Sequence, residues 1–83
     1  ISAQVEEIME QRRTKVAVAG ESKRTQPVEG IDRYAGVVAP IMAAGDVIGA
    51  VILLLPESGA VPNEGDVKLA QVAAAFLGKQ MEE

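Results

Sequence analysis

Residues 45–57 read GDVIGAVILLLPE, and after Gly45 and Asp46 nine residues from Val47 to Leu55 carry no polar side chain, only Gly49 interrupting the bulk. A membrane span needs about 20 apolar residues, so this run is too short to be one, and its β-branched content is wrong for an exposed loop. A strand covered on both faces fits it. The stretch on its N-terminal side, YAGVVAPIMAAG, is a second apolar, β-branched run, and Ala44-Gly45-Asp46 lies between the two. Gly followed by Asp is a hairpin turn signal, so residues 34–57 are expected to form an antiparallel hairpin that Pro56 ends. Gly49, inside the second strand, is expected at a bulge or where another element comes close. Gly45 and Gly49 also match a helix-pairing spacing, but in a hairpin that match has no meaning.

Outward from the hairpin, residues 2–12 read as a helix. Ser2 is its N-cap, Val5, Ile8 and Met9 recur at helical spacing, and Arg12 and Arg13 sit where the helix dipole favours cations. TKVAVAG, residues 14–20, reads as a short strand or an extended exit from that helix, and KRTQPVEG, residues 23–30, as a second weak extended piece that Pro27 marks as an edge or a bulge. ESGAVPNEGD is a loop in which Asn63 and Asp66 can cap a helix running to about Met81. On that helix Glu64, Lys68, Gln71, Lys79 and Glu82 share an arc of roughly 100°, while apolar residues occupy roughly 220°. Lying on a sheet takes only a little over 100° of apolar stripe. If Val67, Ala70, Ala74, Leu77 and Met81 face the sheet, then Leu69, Val72, Ala73 and Phe76 face outward as the expected interface, and at least a homodimer is expected, held by helix packing, by edge pairing of the Val47 to Leu55 strand, or by both.

Composition narrows the chemistry. With 83 residues there is at most one domain with a thin core, and the absence of Met at position 1 suggests a piece of a longer polypeptide. The chain has neither cysteine nor histidine, which removes disulfides, thiolate metal sites, the commonest zinc ligand and the commonest general base. A cytoplasmic location is the simplest reading, with no metal, no cofactor and no membrane segment. The net charge of −4, with eight Lys and Arg against twelve Asp and Glu, offers no basic stripe for phosphates. One Phe, one Tyr and no Trp leave little for base stacking, so this chain is not expected to contact nucleic acid. Adjacent carboxylates (Glu6 with Glu7, Glu82 with Glu83) read as solvated helix surface rather than an acid–base pair. Ser2, Ser22 and Ser58 have no activating histidine, and Gly59 to Gly65 lacks the lysine of a phosphate loop. The expectation is that the chain is not an enzyme. Asp32, Arg33 and Tyr34 form a mixed polar cluster at the mouth of the hairpin.

VVAPIMAAGDVIGAVILLLPESG followed by PNEGDVKLAQVAAAFLGKQMEE resembles the last two strands and closing helix of a GAF domain, the likeness being greatest from Tyr34 to Glu83. ISAQVEEIMEQR resembles the helix that precedes the middle strands of such domains. The resemblance implies an α+β fold, a GAF-like (profilin/PAS-like) antiparallel sheet with packed helices, of which residues 1–83 are a C-terminal part lacking the first helix and two strands. VIGAVILLL would then lie mid-sheet beside strands missing here. It further implies a sensory and oligomerisation module of a sporulation transcription regulator whose AbrB-like DNA-binding domain lies elsewhere. Ligand contacts vary within GAF domains; Arg33, Tyr34 and Val38 are the expected pocket residues for an unidentified small molecule. The alternative is a purely structural dimerisation module without ligand, resembling roadblock or profilin-like folds.

Overall fold

The computed structural model describes residues 2–18, 25–28, 33–56, 58 and 60–82. In chain order the elements are helix α1 (Ala3–Gln11), strands β1 (Lys15–Val16), β2 (Ala35–Ala43) and β3 (Asp46–Leu54), and helix α2 (Glu64–Met81). The three strands form one antiparallel sheet in the order β1-β2-β3, with α1 against one face and α2 against the other. The fold is therefore α+β.

Local chemistry sets the element ends. The Ser2 hydroxyl accepts the Val5 N–H at 3.2 Å and starts α1, which closes at Arg12 in a left-handed conformation (φ 58°) whose N–H donates to the Met9 carbonyl. At α2 the Asn63 side chain accepts the Asp66 N–H at 2.8 Å and the Asp66 carboxylate accepts the Asn63 N–H at 3.0 Å, a reciprocal capping box. The hairpin turn is Ala44-Gly45, both at positive φ (52° and 86°), with Ala43 paired to Asp46. That is the two-residue type whose twist matches the strands. The expected turn lies one residue too late: Asp46 already belongs to β3, because Gly45 fills the second central position and not the first.

The long apolar strand is not the buried one. Among the described residues β3 has a sheet neighbour on one side only, and Ile48 and Leu54 are exposed, while residues 35–39 of β2 are all buried. The sheet order decides this, since among those residues β2 alone has strands on both sides. Both faces of β3 are nonetheless partly covered: Ala50 and Ile52 pack toward α1, Val51 and Leu53 toward α2. Two bulges break the register. Gly36 is the extra residue between the Ala35–Leu54 and Val37–Leu53 pairs, which puts Ala35 on the same face as Val38; Ile48 is the extra residue between the Ile41–Gly49 and Met42–Val47 pairs, so Gly49 sits beside a bulge as expected.

Proline in a central strand needs an explanation, and Pro40 has one. The Ala17 N–H donates to the Gly36 carbonyl at 2.7 Å, so by alternation Pro40 turns its missing N–H toward the β1 side, beyond the two residues that β1 pairs. Of the weak piece at 23–30, residues 25–28 are described and form no strand; the Thr25 carbonyl accepts the Ala35 N–H at 2.7 Å and the Pro27 carbonyl accepts the Ser2 N–H at 2.8 Å. The rest of that piece, with Ser22, Asp32, Glu57, Gly59 and Glu83, lies outside the described residues.

Candidate functional site

α2 meets the sheet through small residues. Ala70, Ala74 and Gly78 are its buried positions, Val67 packs beside them, and a Cβ built on Gly78 would overlap the Met42 carbonyl oxygen. This corrects the expected inward face. Leu77 and Met81 are 43% and 68% exposed: the close approach at Gly78 puts the 67/70/74/78 row against β2 and leaves Leu77 on its flank, while Met81, on the side of Ala70 and Ala74, is the last residue of the helix. On the flank toward β1 the Gln71 amide donates to the Thr14 hydroxyl at 3.2 Å.

The large apolar residues are left outside. Leu69 and Phe76 are each 62% exposed and Val72 is 59% exposed, while Ala73 is half-buried at the margin of the contact. At 100° per residue, Leu69, Ala73, Phe76 and Leu77 fall on the flank opposite Gln71, the side of the helix toward β3. There the outer edge of β3 has no strand partner among the described residues, and nothing charged follows Asp46 along it. Apolar residues thus stand on both the strand edge and the helix flank, and Leu54 and Leu69 meet at one cavity. This open cavity of about 690 Å³, where β3 runs out, is also bounded by Leu53, Leu55, Pro56, Pro62 and Asn63. Gly36 floors it, within 3.2 Å (measured from a built Cβ) of Leu55 and Pro62.

None of the three expected pocket residues lines this cavity. Arg33 is exposed and its Nη2 donates to the Leu55 carbonyl at 3.5 Å, and the Tyr34 carbonyl accepts the Leu55 N–H at 2.8 Å, so these two hold the cavity wall from behind. Val38 is 1% exposed on the opposite face of the sheet, in the core with Val5, Ile8 and Ala35. What reading the sequence missed is the role of Gly78 and Gly36. A glycine inside an otherwise strong helix costs about 1 kcal/mol relative to alanine, and that cost was the available signal of a close approach at Gly78.

Among the described residues no group of three or more acidic side chains could hold a metal ion, and no helix is long and apolar enough to cross a membrane. Glu6 and Glu7 are both exposed.

Comparison with known proteins adds what geometry alone does not. Residues 1–82 match the family model described as stage V sporulation protein T C-terminal, transcription factor. The whole chain aligns with stage V sporulation protein T of Bacillus subtilis (strain 168) at 36% identity over 85 residues. It covers 46% of that protein, so the chain spans about half the length of the curated relative it matches. The family model covering nearly every residue and the identity over the full chain agree: the chain belongs to the stage V sporulation protein T C-terminal family of transcription factor regions.

Proposed function

We propose that the chain is a GAF-like regulatory module, the non-enzymatic, cytoplasmic part of a sporulation transcription regulator, and that it works by self-association through α2. Family membership supports the regulatory reading. The observation that carries the self-association is the outward set Leu69, Val72 and Phe76, with Ala73 at its margin. Burying a Leu, Val or Phe side chain is worth about 1.5–3 kcal/mol, which is large against a total stability of about 5–15 kcal/mol. A domain of this size gains more from covering these residues than from any rearrangement of its own core. The module would hold paired DNA-binding domains of a parent protein at a set spacing while touching no nucleic acid itself, in keeping with its acidic charge.

A small-molecule signal remains part of this reading, with Arg33, Tyr34 and Val38 as its contact residues. Val38 is covered by α1, so a ligand reaching it has to lift that helix. The ligand-free dimerisation module is the second reading, favoured by the same outward stripe.

Light scattering at tens of micromolar is expected to report a dimer or larger. Leu69→Glu together with Phe76→Glu should return it to monomer by placing charge in the contact. A stable monomer for the unmutated chain would overturn the self-association. A thermal-shift screen of metabolites separates the two readings, since a ligand at 100 times its Kd stabilises by about 2.7 kcal/mol.

A further inference from the structure

Two residues other than glycine have positive φ among the described residues, Arg12 and Ala44. They are distant in sequence and belong to one junction. Arg12 ends α1, and its Nη1 donates to the Gly45 carbonyl at 2.9 Å. From the other face of the sheet, Glu82 ends α2, and its Oε2 accepts the Ala44 N–H at 3.2 Å. The two-residue turn is thus gripped by the terminal residue of each helix, one through its carbonyl and one through its amide. The turn is also where α2 is held tightest, since Gly78 brings the last turns of that helix against Met42, two residues before Ala44.

Left-handed backbone is rare for residues with a Cβ, and it persists only where surrounding contacts hold it. Here both instances sit on the path that joins the two helical layers. Glu6, Glu10 and Asp46 line the same open cleft as Arg12, whose guanidinium donates to the turn. Moving the turn therefore changes where that cation sits relative to α1.

We infer that the Ala44-Gly45 turn is a coupling element: a displacement of the last turn of α2 passes through Glu82, the turn and Arg12 to the C-terminal end of α1 on the opposite face of the sheet. The coupling stands on this geometry alone. Its use in signalling rests on the reading of α2 as the contact surface, because only then does a partner or signal move that helix. Both helices also pack on β2 and β3, and the turn differs from those packing contacts in being hydrogen-bonded to the terminal residue of each helix.

Amide chemical shifts of the whole 83-residue chain test it. Glu82→Ala is expected to move the amides of Ala44 and Gly45 and also those of Met9 to Arg13. With Arg12→Met in the background, the same Glu82 substitution should move the turn amides alone, the α1 response being lost. If Arg12→Met does not fold because an apolar side chain replaces an exposed polar one, Arg12→Gln keeps a polar side chain there while falling two bonds short of Gly45. An α1 response absent from Glu82→Ala, or equally large in either Arg12 background, overturns the inference. Light scattering on the same samples reads self-association separately, so a failure of the dimer leaves the coupling result standing or falling by itself.

Discussion

The two helices cover the two faces of one sheet in opposite ways. α1 has nine residues and buries its large ones: Val5 and Ile8 are buried, Met9 packs beside them, and the strand residues opposite include the small Ala35 and Ala50. α2 has eighteen residues and buries its small ones, Ala70, Ala74 and Gly78, against the larger Val37, Ile41, Val51 and Leu53. The helix side chains that meet the sheet are thus larger in α1 than in α2, although Val38 and Ile52 also face α1 and Val67 of α2 packs beside Ala39. The helices also differ in what remains outside. α1 exposes charged residues, whereas α2 exposes Leu69, Val72, Phe76, Leu77 and Met81. One sheet cannot cover so wide an apolar arc, and residue size, more than hydropathy, is what supports the second contact proposed for α2.

Removing the close approach should have the largest effect. Gly78→Val places branched carbon where the Met42 carbonyl oxygen already sits, and a backbone atom of a paired strand cannot swing aside as a side chain tip can. The loss is expected to exceed about 4 kcal/mol, in the range that single substitutions rarely reach, and to leave the chain unfolded or nearly so. Retention of a cooperative melting transition within a few degrees of the unmutated chain would mean that α2 does not sit this near β2.

Next in size is a pair that sets the two helices against each other. Ile8→Ala empties part of the α1 layer and should cost about 2–4 kcal/mol at any protein concentration. Phe76→Ala removes more volume from a residue that is 62% exposed, and within one chain it should stay within about 0.5 kcal/mol. In a self-associated protein the order changes with concentration, because Phe76→Ala then lowers the midpoint more as the protein is concentrated. Chemical denaturation at two protein concentrations checks both, and a Phe76→Ala loss as large as that of Ile8→Ala at high dilution would break the comparison.

Much of this architecture is legible in the residues, and the failures have physical causes. Ser2 and Asn63 announce their helices because a side-chain oxygen beside an amphipathic run has one obvious use, and both caps form. The hairpin is visible because two β-branched runs flank a glycine. That β2 rather than β3 is the central one of the three described strands is not visible, since it depends on β1, two residues long, pairing with β2; the place of β3 in a larger sheet is untouched by this. The orientation of α2 is hidden for a different reason: an apolar arc of roughly 220° looks the same to hydropathy from either flank, and only Gly78 breaks the tie. Among the pocket residues, Arg33 and Tyr34 share the end of β3 as neighbours in sequence, but the bulge at Gly36 and the pleat send Val38 to the other face.

A smaller effect comes from the start of α2. Asn63→Ala removes the acceptor of the Asp66 N–H and should cost about 1 kcal/mol, as N-cap losses generally do. Because Asn63 also borders the cavity beside Leu69, the substitution loosens the end of α2 that carries the outward stripe while leaving Gly78 in place. The expected result is a modest drop in melting midpoint with self-association retained. Loss of self-association from this change alone would show that the first turn of α2, and not the stripe from Leu69 to Phe76, governs the contact.

The smallest effect should be a gain. Ala44 holds φ 52° as the first central residue of the turn, a conformation that costs a residue with a Cβ about 1–2 kcal/mol and that asparagine tolerates better. Asn-Gly is the preferred pair for this turn, and Gly45 already provides its second half at φ 86°. Ala44→Asn keeps the backbone N–H that Glu82 accepts and the neighbouring carbonyl to which Arg12 donates, so both helix contacts survive the change. The expected gain is about 0.5–1 kcal/mol, seen as a raised denaturation midpoint with an unchanged slope. The sign is the informative part. A loss would mean that the helices hold Ala44 in a geometry unlike a free hairpin turn, and that the turn is shaped by its two grips more than by its own sequence.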